Sequence, residues 1–405
     1  MTTSNAAGAE RLRRKAWRKA GEKRRGPADE PEPAVAASWR RASSLVDEIL
    51  AHANDPWVRL SLGSTEICRA RAGGLVVVMG PSGVGKSSLL GGLLVQHARE
   101  QGPAICASLE LPADEMAARW VALQTDSSWT DVLTGQVPRA EMERVLDLPR
   151  LIIGARKEVT LNALATEIAQ AKASWPDEAV LVAVDYVQLV PGGGDEARAR
   201  TTDVMERLDE LARHTGAVFL VVSQMSRVNA RAARDGTVLG IETMDGGAES
   251  AAIERFASVT LAIGAVSPPD EEGMQRAQLS LGKYRMGRGD RVYPLRIDGR
   301  SGRMCIEGEA RHASDVRAEA KAEQHAGRLE AVMLAMVQAA EKSKAPVTRE
   351  YLREKADANR QLAKGAVERL LAAGDLVEVR QKPPRSPHWL LWTRSKAESA
   401  GIGVL

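Results

Sequence analysis

The sequence predicts an α/β protein with a mainly parallel sheet flanked by helices, followed by a small domain of three helices and a two-stranded wing. From about residue 58 to 306, apolar strands alternate with amphipathic helices, and polar residues follow several of these strands. That alternation is typical of a parallel sheet covered on both faces. Three apolar helical patterns and two final strand-like runs predict the small domain. At 405 residues the chain is long enough for both units.

The large domain, residues 58–306, follows a linker over residues 41–57. The linker is expected to contain one short helix capped by Ser43 or Ser44, with Ile49 on its apolar face. Five apolar runs are predicted as strands of the large domain: Leu75 to Met79, Ala104 to Leu109, Leu151 to Ile153, Val180 to Val184 and Val218 to Val222. Two further runs extend the sheet: Leu261 to Ile263 and Ala277 to Gly282.

The small domain is predicted over residues 325–396, between a charged, alanine-rich connector at 307–324 and a tail at 397–405. Thr348 caps its second helix, and Gly374 ends its third. Three helices followed by a hairpin make a winged helix. Its third helix would place three side chains in a DNA major groove, and one wing residue would reach backbone phosphate. These residues are Arg360, Gln361, Lys364 and, on the wing, Arg385. Protein contact is the alternative use of such a domain.

Charge is distributed unevenly along the chain. Nine basic residues and one acidic residue lie between Arg11 and Arg25, and residues 325–396 hold fourteen basic against eight acidic residues. Residues 26–324 hold 33 basic against 42 acidic residues. Clustered positive charge favours nucleic acid, because neutralising phosphates releases counterions. Residues 1–40 lack apolar periodicity and indicate a disordered basic tail, for which a merely solubilising role is equally open.

Cysteine usage and hydropathy point to a reducing cytoplasm. Cys68, Cys106 and Cys305 show no C-x-x-C spacing, so neither a disulfide framework nor a zinc site is predicted. No apolar run approaches the roughly 20 residues of a membrane helix, and the arginine-rich start lacks the apolar stretch of a secretory signal. A cytoplasmic protein without a membrane partner is therefore expected.

A strand, a glycine-rich loop and a helix follow one another between Leu75 and Leu90. This context and the spacing G-x-x-x-x-G-K-S predict a phosphate-binding loop, whose backbone N–H groups and helix terminus would face phosphate oxygens. Lys86 would reach the β- and γ-phosphates of ATP, and Ser87 would ligate Mg²⁺. The expected nucleotide-binding residues are Gly80, Gly83, Gly85, Lys86, Ser87 and Ser88. A glycine-rich structural turn is the alternative.

Polar residues stand just after the carboxyl ends of three predicted strands. Asp185 stands where a phosphate-loop ATPase needs a second carboxylate for its Mg²⁺ shell. Glu110 is a candidate general base that orients the attacking water. Gln224 would sense the γ-phosphate and pass its presence to the following loop. A buried structural aspartate and a plain polar strand end remain alternatives for Asp185 and Gln224.

Seven phrases occur in order along the large domain. They are GPSGVGKSS, SLELPADEMAAR, VLTGQV, VDYVQLV, SQMSR, ESAAIERFA and GKYRMG. Together they resemble the ATPase domain of the DnaB-type replicative helicases, a branch of the RecA-like family, over about residues 60–306. The SLE-x-P and DYxQL phrases favour this branch over recombinases and circadian-clock-type ATPases.

The resemblance implies a hexameric ring with ATP held between neighbouring subunits. It implies that Glu110 is the catalytic carboxylate, that Asp185 supports the metal and that Gln224 couples nucleotide to DNA. Lys283 and Arg285 would reach into the next subunit's site, where an arginine in trans is worth roughly 10³ to 10⁵ in rate. Without the resemblance, these two form simply a basic turn after a strand.

The chain departs from the family pattern in two places. The long N-terminal helical domain that meets primase has no counterpart, so a primase or replication initiator is no more than a candidate partner. In the loop thought to grip DNA, Arg-Glu-Ser-Gly is replaced by Ala-Glu-Ser-Ala at 248–251. Glu249 and Ser250 keep their DNA-binding positions, and Arg231 and Arg234 are candidate substitutes for the missing arginine. A solvated loop face is the alternative for both arginines.

The sequence therefore predicts a ring-forming, ATP-driven 5′-to-3′ DNA helicase or translocase of replication, acting on single-stranded and forked DNA as a homo-hexamer. Its compact build resembles the helicases of plasmids, phages or other mobile elements. The rival is a non-translocating ATP switch that serves as a DNA-bound initiator, loader or regulator, which the missing loop arginine favours. A recombination mediator fits the core but not the SLELP phrase.

Overall fold

The computed structural model describes residues 42–53, 55–155, 159–190, 193, 197–224, 253, 255–380 and 389–400. The N-terminal unit, which ends at Asp55, holds a 3-10 turn over Ala42–Leu45 and helix α1 (Val46–His52). The predicted serine cap is wrong, because the residue that precedes α1 is Leu45, which makes no side-chain capping hydrogen bond. Leu45 has φ −91° and ψ −5°, a helical backbone that lacks the extended geometry of a capping residue. Ile49 is exposed.

The second unit begins at Pro56 and contains the remaining elements. Its strands are β1 (Val58–Leu62), β2 (Thr65–Ala70), β3 (Leu75–Gly80), β4 (Ala104–Ser108), β5 (Leu151–Ala155), β6 (Leu181–Asp185), β7 (Val218–Gln224), β8 (Val259–Ala265), β9 (Met274–Tyr284), β10 (Arg291–Asp298), β11 (Met304–Ile306), β12 (Arg311–His312), β13 (Leu376–Arg380) and β14 (Trp389–Thr393). Its helices are α2 (Lys86–Glu100), α3 (Ala113–Gln124), α4 (Trp129–Leu133), α5 (Arg139–Leu146), α6 (Leu161–Ser174), α7 (Ala197–Thr215), α8 (Ala313–Lys342), α9 (Arg349–Lys355), α10 (Arg360–Ala373) and α11 (Arg394–Ser399).

Within the described residues, a ten-stranded sheet forms the centre of this unit. Six of its strands are parallel in the order β8-β3-β7-β6-β4-β5. Beyond β8 the sheet continues antiparallel through β9, β10 and β11. The strand β3, which leads into the phosphate loop, is thus central, and the carboxyl ends of β3, β7, β6 and β4 lie side by side. An open α/β sheet binds its ligands at this edge.

The sheet is buried on both faces, which explains why its parallel strands are continuous apolar runs. Along β3, Val76 and Val78 pack into one core, whereas Val77 and Met79 pack into the core on the opposite face. All seven predicted strands fall on strands of this sheet. The sequence does not predict β10, because Pro294 interrupts its apolar pattern and proline is unfavourable inside a sheet.

Residues 307–324, expected to be a connector, are largely structured. β12 pairs with β10, and α8 then runs for 30 residues from Ala313 to Lys342. Alanine and long charged side chains have high helix propensity, so this stretch continues the helix without an apolar stripe of its own. Val316 of α8 packs with Val292 of β10, whereas residues 321–328 are exposed on every side of the helix. No helix in the described ranges is long and apolar enough to cross a bilayer.

The C-terminal part packs the second half of α8 against α9 and α10 around one apolar core. Thr348 caps α9 by accepting a hydrogen bond from Tyr351 N at 3.1 Å, as predicted. Gly374 ends α10 with a φ of 79°, which also confirms the prediction. The antiparallel strands β13 and β14 follow. Three helices and a strand pair are therefore present, and the winged-helix interpretation stays a prediction.

Candidate functional site

A cavity of about 330 Å³ opens at the carboxyl ends of the central strands. It is lined by the loop between β3 and α2, by side chains that follow β4 and β6, and by the end of β7. The end of β10 and the turn that follows it, residues 298–302, also line the cavity. The predicted residues in its lining are Gly83, Gly85, Lys86, Ser87, Ser88, Glu110, Asp185 and Gln224.

The loop between β3 and α2 has the geometry of an anion site. Gly85 precedes α2 with a φ of 93°, a left-handed conformation that favours glycine, and a Cβ there would lie 2.5 Å from Met304 Cε. The N-terminus of α2 therefore faces the cavity with its free N–H groups. Lys86 Nζ donates to Gly80 O at 3.0 Å and to Pro81 O at 2.7 Å. Burial lowers the pKa of Lys86, while the charges of Asp185 and Glu110 oppose that shift.

Two carboxylates lie on neighbouring strands at the same edge of the cavity. Asp185 ends β6 and is 1% exposed; Glu110 lies two residues beyond β4 and is exposed. The backbone N–H of Glu110 donates to Asp185 O at 3.3 Å, which ties the two chain segments together. Burial raises the pKa of Asp185; the hydrogen bond from Ser87 opposes this shift, Glu110 adds to it, and the charges of Lys86 and Arg119 oppose it.

The donor set suits a hard divalent cation. Ser87 bonds the Asp185 carboxylate, whose buried Oδ2 accepts no hydrogen bond from the described residues. Oxygen ligands of this kind are what Mg²⁺ prefers. No group of three or more His, Cys, Asp or Glu side chains in the described part of the chain could hold a metal ion. Ser87 and Asp185 would therefore hold Mg²⁺ only together with ligand oxygens, as phosphate-loop sites do.

Gln224 is the exposed last residue of β7 and lines the cavity, whereas the segment after it, residues 225–252, lies outside the described residues. Arg231, Arg234, Glu249 and Ser250 belong to that segment, and Arg385 of the wing also lies outside the described residues. Three predicted DNA-binding residues are described, and all are exposed on α10: Arg360, Gln361 and Lys364. The Lys364 ammonium lies 3.9 Å from Glu368 Oε1.

Lys283 and Arg285 do not line the cavity of their own chain. Lys283 is near the end of β9, and its backbone N–H donates to Thr260 Oγ1 at 2.7 Å. Arg285 follows the strand, is exposed, and donates through Nη2 to Arg255 O at 3.2 Å. The sequence analysis places this pair in the site of the next subunit, and that role stays a prediction.

The sequence does not predict two parts of the cavity wall. Arg119 of α3 and Trp129 of α4 line it, and the only sequence signal is that Arg119 ends the phrase SLELPADEMAAR. The turn at 298–302 is the second part. Arg303 fastens it to the end of α3 by donating through Nε to Leu123 O at 3.2 Å and through Nη2 to Thr125 O.

Comparison with known proteins agrees with this arrangement. The family model described as the DnaB-like helicase C-terminal domain matches residues 68–298, which is more than half of the chain. The chain belongs to the DnaB-like helicase C-terminal domain family. The match includes the residues that line the cavity up to Asp298, and it ends before α8.

Two curated relatives are replicative DNA helicases named DnaB. The protein from Synechocystis sp. is 25% identical over 161 residues, which cover 38% of this chain and 18% of the relative. The protein from Nostoc sp. is 24% identical over 206 residues, which cover 49% of this chain and 23% of the relative. The chain therefore spans about a fifth of the length of these DnaB proteins.

Two solved structures share the fold at low identity. One, described as an ATPase domain, superposes with a TM-score of 0.52 at 15% identity, over 59% of this chain and 86% of that one. The other, a DnaB-like replicative helicase described with its interactions with primase, gives a TM-score of 0.50 at 16% identity, over 58% of this chain and 57% of that one. These matches agree with the RecA-like α/β fold expected from the sequence.

Proposed function

We propose that this protein is a ring-forming, ATP-dependent DNA helicase or translocase that acts in replication and moves 5′ to 3′ on single-stranded DNA. The observation that carries the proposal is the convergence of Lys86, Ser87, Glu110, Asp185 and Gln224 on one cavity at the carboxyl ends of adjacent parallel strands. Membership of the DnaB-like helicase family supports ATP as the nucleotide.

Each side chain has a chemical task in this proposal. The phosphate-loop N–H groups and Lys86 bind the phosphates. Ser87 with Asp185 would hold Mg²⁺, which would supply positive charge that neutralises the phosphates. Glu110 orients the attacking water and accepts its proton. Gln224 contacts the γ-phosphate side of the cavity and passes its presence to residues 225–252.

The subunits assemble as a homo-hexamer in which each cavity is completed by its neighbour. Arg285 supports this step, because it is exposed and lies outside the cavity of its own chain. An arginine that acts on the transition state from a neighbouring subunit is worth roughly 10³ to 10⁵ in rate. Lys283 enters the neighbouring cavity with it.

Single-stranded DNA runs through the ring, and the C-terminal part of the chain, acting as a winged helix, binds forked or origin DNA. The exposed side chains Arg360, Gln361 and Lys364 on α10 support the second role. A primase or a replication initiator is the candidate protein partner. The rival function, a non-translocating ATP switch, is favoured by Ala248, which stands where the family pattern has an arginine.

The test is ATP hydrolysis with and without single-stranded DNA, together with strand displacement on a forked duplex that has a 5′ tail. We expect DNA-stimulated hydrolysis and displacement, both lost in Lys86→Ala. Glu110→Gln should keep ATP binding and lose roughly 10²- to 10⁴-fold in hydrolysis. Hydrolysis that DNA does not change, without displacement, would replace the helicase by the ATP switch.

A further inference from the structure

A second cavity lies along the helix that follows the phosphate loop. Its volume is about 280 Å³, and half of the residues that line it belong to α2. These are Ser88, Gly92, Val95, Gln96, Arg99 and Glu100. Their spacing of three or four residues places them on one face of the helix, from its first turn to its last. The cavity is therefore a groove along α2, and we call it the α2 groove.

The groove is hollow because a residue without a side chain lies at its centre. A Cβ added at Gly92 would have Leu62 Cδ2 as its nearest neighbour, at 3.9 Å. Apolar side chains line the groove around this space: Leu62, Val95, Leu123 and Met304. The first three of them are buried. A ligand with an apolar body would leave water for apolar surface here, which favours its binding.

Hydrogen bonds between neighbouring elements hold the walls of the α2 groove in place. Gln96 Nε2 donates to Gly63 O at 2.9 Å, which ties α2 to the turn between β1 and β2. Arg99 Nη1 donates to Gln124 Oε1 at 2.6 Å, which ties α2 to the end of α3. Since the protein's own side chains make these bonds, the groove is preformed, as small-molecule sites usually are.

The rim of the α2 groove carries positive charge. Among the described residues, Arg99 pairs with no carboxylate, and its Nε and Nη2 have no acceptor. Arg303 Nη2 lies 3.3 Å from Asp126 Oδ1, but that side chain is 99% exposed, so the pair contributes little. The acidic rim residue, Glu100, accepts from Gln96 Nε2 at 3.3 Å. Because a guanidinium matches the paired oxygens of an anion, the groove suits an organic anion such as a carboxylate or a sulfonate.

The α2 groove shares part of its wall with the nucleotide cavity, which is the cavity at the carboxyl ends of the central strands. Ser88 lines both. Met304 lines the groove, and a Cβ at Gly85 of the phosphate loop would lie 2.5 Å from its Cε. Arg303 also lines the groove, and it fastens the turn at 298–302, which lines the nucleotide cavity. A ligand that moves Met304 or Arg303 would therefore change the wall of the nucleotide cavity.

We propose that the α2 groove is an effector site for a small organic anion with an apolar body, and that its occupancy is linked to nucleotide binding. The linkage rests on the proposed function insofar as ATP is the nucleotide, whereas the groove itself does not. Its volume lies close to the lower end of the about 300–1,000 Å³ typical of ligand pockets, which favours a small molecule over a polypeptide. Effector and nucleotide then change each other's affinity by the same factor.

The first experiment uses 8-anilinonaphthalene-1-sulfonate, a fluorescent aromatic sulfonate, as the probe on the full chain. We expect saturable binding to the groove. Gly92→Leu should lower the affinity for the probe by about tenfold or more, because the leucine side chain fills the space of the ligand. Gly327→Leu, the same change at an exposed helical glycine, is the matched control.

The charge on the rim is tested in the same titration. Arg99→Gln should lower the affinity for the probe by about two- to fivefold, as for loss of an exposed charge pair. Arg369→Gln, which changes an exposed arginine on α10, should leave the affinity unchanged. Thermal unfolding of each variant separates a folding defect from a binding defect, and Gly92→Met replaces the leucine variant if that one fails to fold.

The second experiment measures the linkage. The probe is titrated with and without a saturating non-hydrolysable ATP analogue, and the analogue is titrated with and without saturating probe. We expect both affinities to change by the same factor, about fivefold or more. In Gly92→Leu the affinity for the analogue should no longer respond to the probe, which separates linkage from competition inside the nucleotide cavity.

Probe binding that Gly92→Leu does not weaken, or probe binding without linkage, would overturn the inference while leaving the proposed function standing. Probe binding that is lost as the protein concentration rises and subunits assemble would assign the groove to a neighbouring copy, and would overturn it too. A wild-type chain that binds the probe in the groove but no ATP analogue would overturn the proposed function and the linkage with it.

Discussion

The side-chain amide of Gln188 contacts the backbone of Gln224 on both sides. Gln188 Oε1 accepts from Gln224 N at 3.4 Å, and Gln188 Nε2 donates to Gln224 O at 3.4 Å and to Ser223 Oγ at 3.1 Å. Gln188 lies in the 3-10 turn Val187–Leu189, which Tyr186 connects to Asp185 at the end of β6. The end of β7 is therefore tied to the strand that carries the buried carboxylate.

This link predicts a variant that separates hydrolysis from its response to DNA. We expect Gln188→Ala to reduce stimulation by single-stranded DNA about 2- to 30-fold, as for a coupling energy of about 0.5–2 kcal/mol, and to leave basal hydrolysis nearly unchanged. The reason is that Gln188 does not line the cavity. Steady-state ATPase assays with and without DNA measure both rates. Gln136→Ala is the control on an exposed glutamine, and an equal loss of basal and stimulated rates would contradict the prediction.

Local patterns in the sequence predict the strands and the phosphate loop, but not the whole cavity wall. The loop is recognisable because its strand, glycines, lysine and helix are contiguous, and Glu110 and Asp185 because each follows an apolar run. Arg119 becomes part of the site through the packing of α3. The turn at 298–302 joins it through Arg303, whose partner Leu123 is 180 residues away. Contacts over such distances leave no local pattern.

The sequence also does not predict that α8 is one continuous helix. The sequence divides it between a connector and the first helix of the small domain, because an apolar stripe begins only near Leu329. A helix that is exposed on every side over residues 321–328 has no stripe to detect. Its continuity depends on intrinsic propensity, and propensity alone is a weak signal.

The exposed part of α8 contains Gly327. A Cβ added at this residue would meet no atom within 4 Å. We expect Gly327→Ala to stabilise the helix there by about 1 kcal/mol, because alanine restricts the unfolded backbone more than glycine does and no contact opposes it. Slower hydrogen exchange and slower proteolysis over residues 321–328 measure the effect. Gly365→Ala on α10 is the matched control, since it lies in a helix already held by packing and should leave exchange at 321–328 unchanged. Unchanged exchange in Gly327→Ala would contradict the prediction.

The buried side chain of His97 is expected to make the free energy of unfolding depend on pH. The ring is 1% exposed, its Nε2 lies 2.9 Å from Ala179 O, and burial lowers its pKa from 6.5 to about 4 against the effect of two backbone carbonyls. The unfolded chain therefore takes up a proton at higher pH than the folded chain. The stability due to neutral His97 is fully present above about pH 6.5 and is lost as the pH falls towards 4, on the order of 3 kcal/mol at most.

Urea unfolding between pH 7 and pH 4 tests this dependence. We expect His97→Gln to lower the free energy of unfolding at pH 7, because glutamine does not fill the space of the buried imidazole ring. The free energy of unfolding of this variant should decline less towards pH 4, because glutamine does not titrate. His214→Gln, which changes an exposed histidine, should keep the wild-type decline. The same decline in His97→Gln would show that other groups cause it.

Mixing two inactive variants tests whether Arg285 acts across a subunit boundary. Lys86→Ala has a defective phosphate loop but an intact Arg285, whereas Arg285→Ala has the reverse, so each alone should be nearly inactive. In mixed rings, an Arg285→Ala subunit that faces a Lys86→Ala neighbour has an intact loop and receives an intact arginine. Random assembly gives both intact groups to about a quarter of the subunit boundaries. We therefore expect ATP hydrolysis to recover to about a quarter of the wild-type rate when the variants are assembled together. Equilibrium binding of the ATP analogue to Arg285→Ala should be preserved. If Arg285 acted within its own subunit, no boundary would combine both intact groups, and the mixture would stay as inactive as its components.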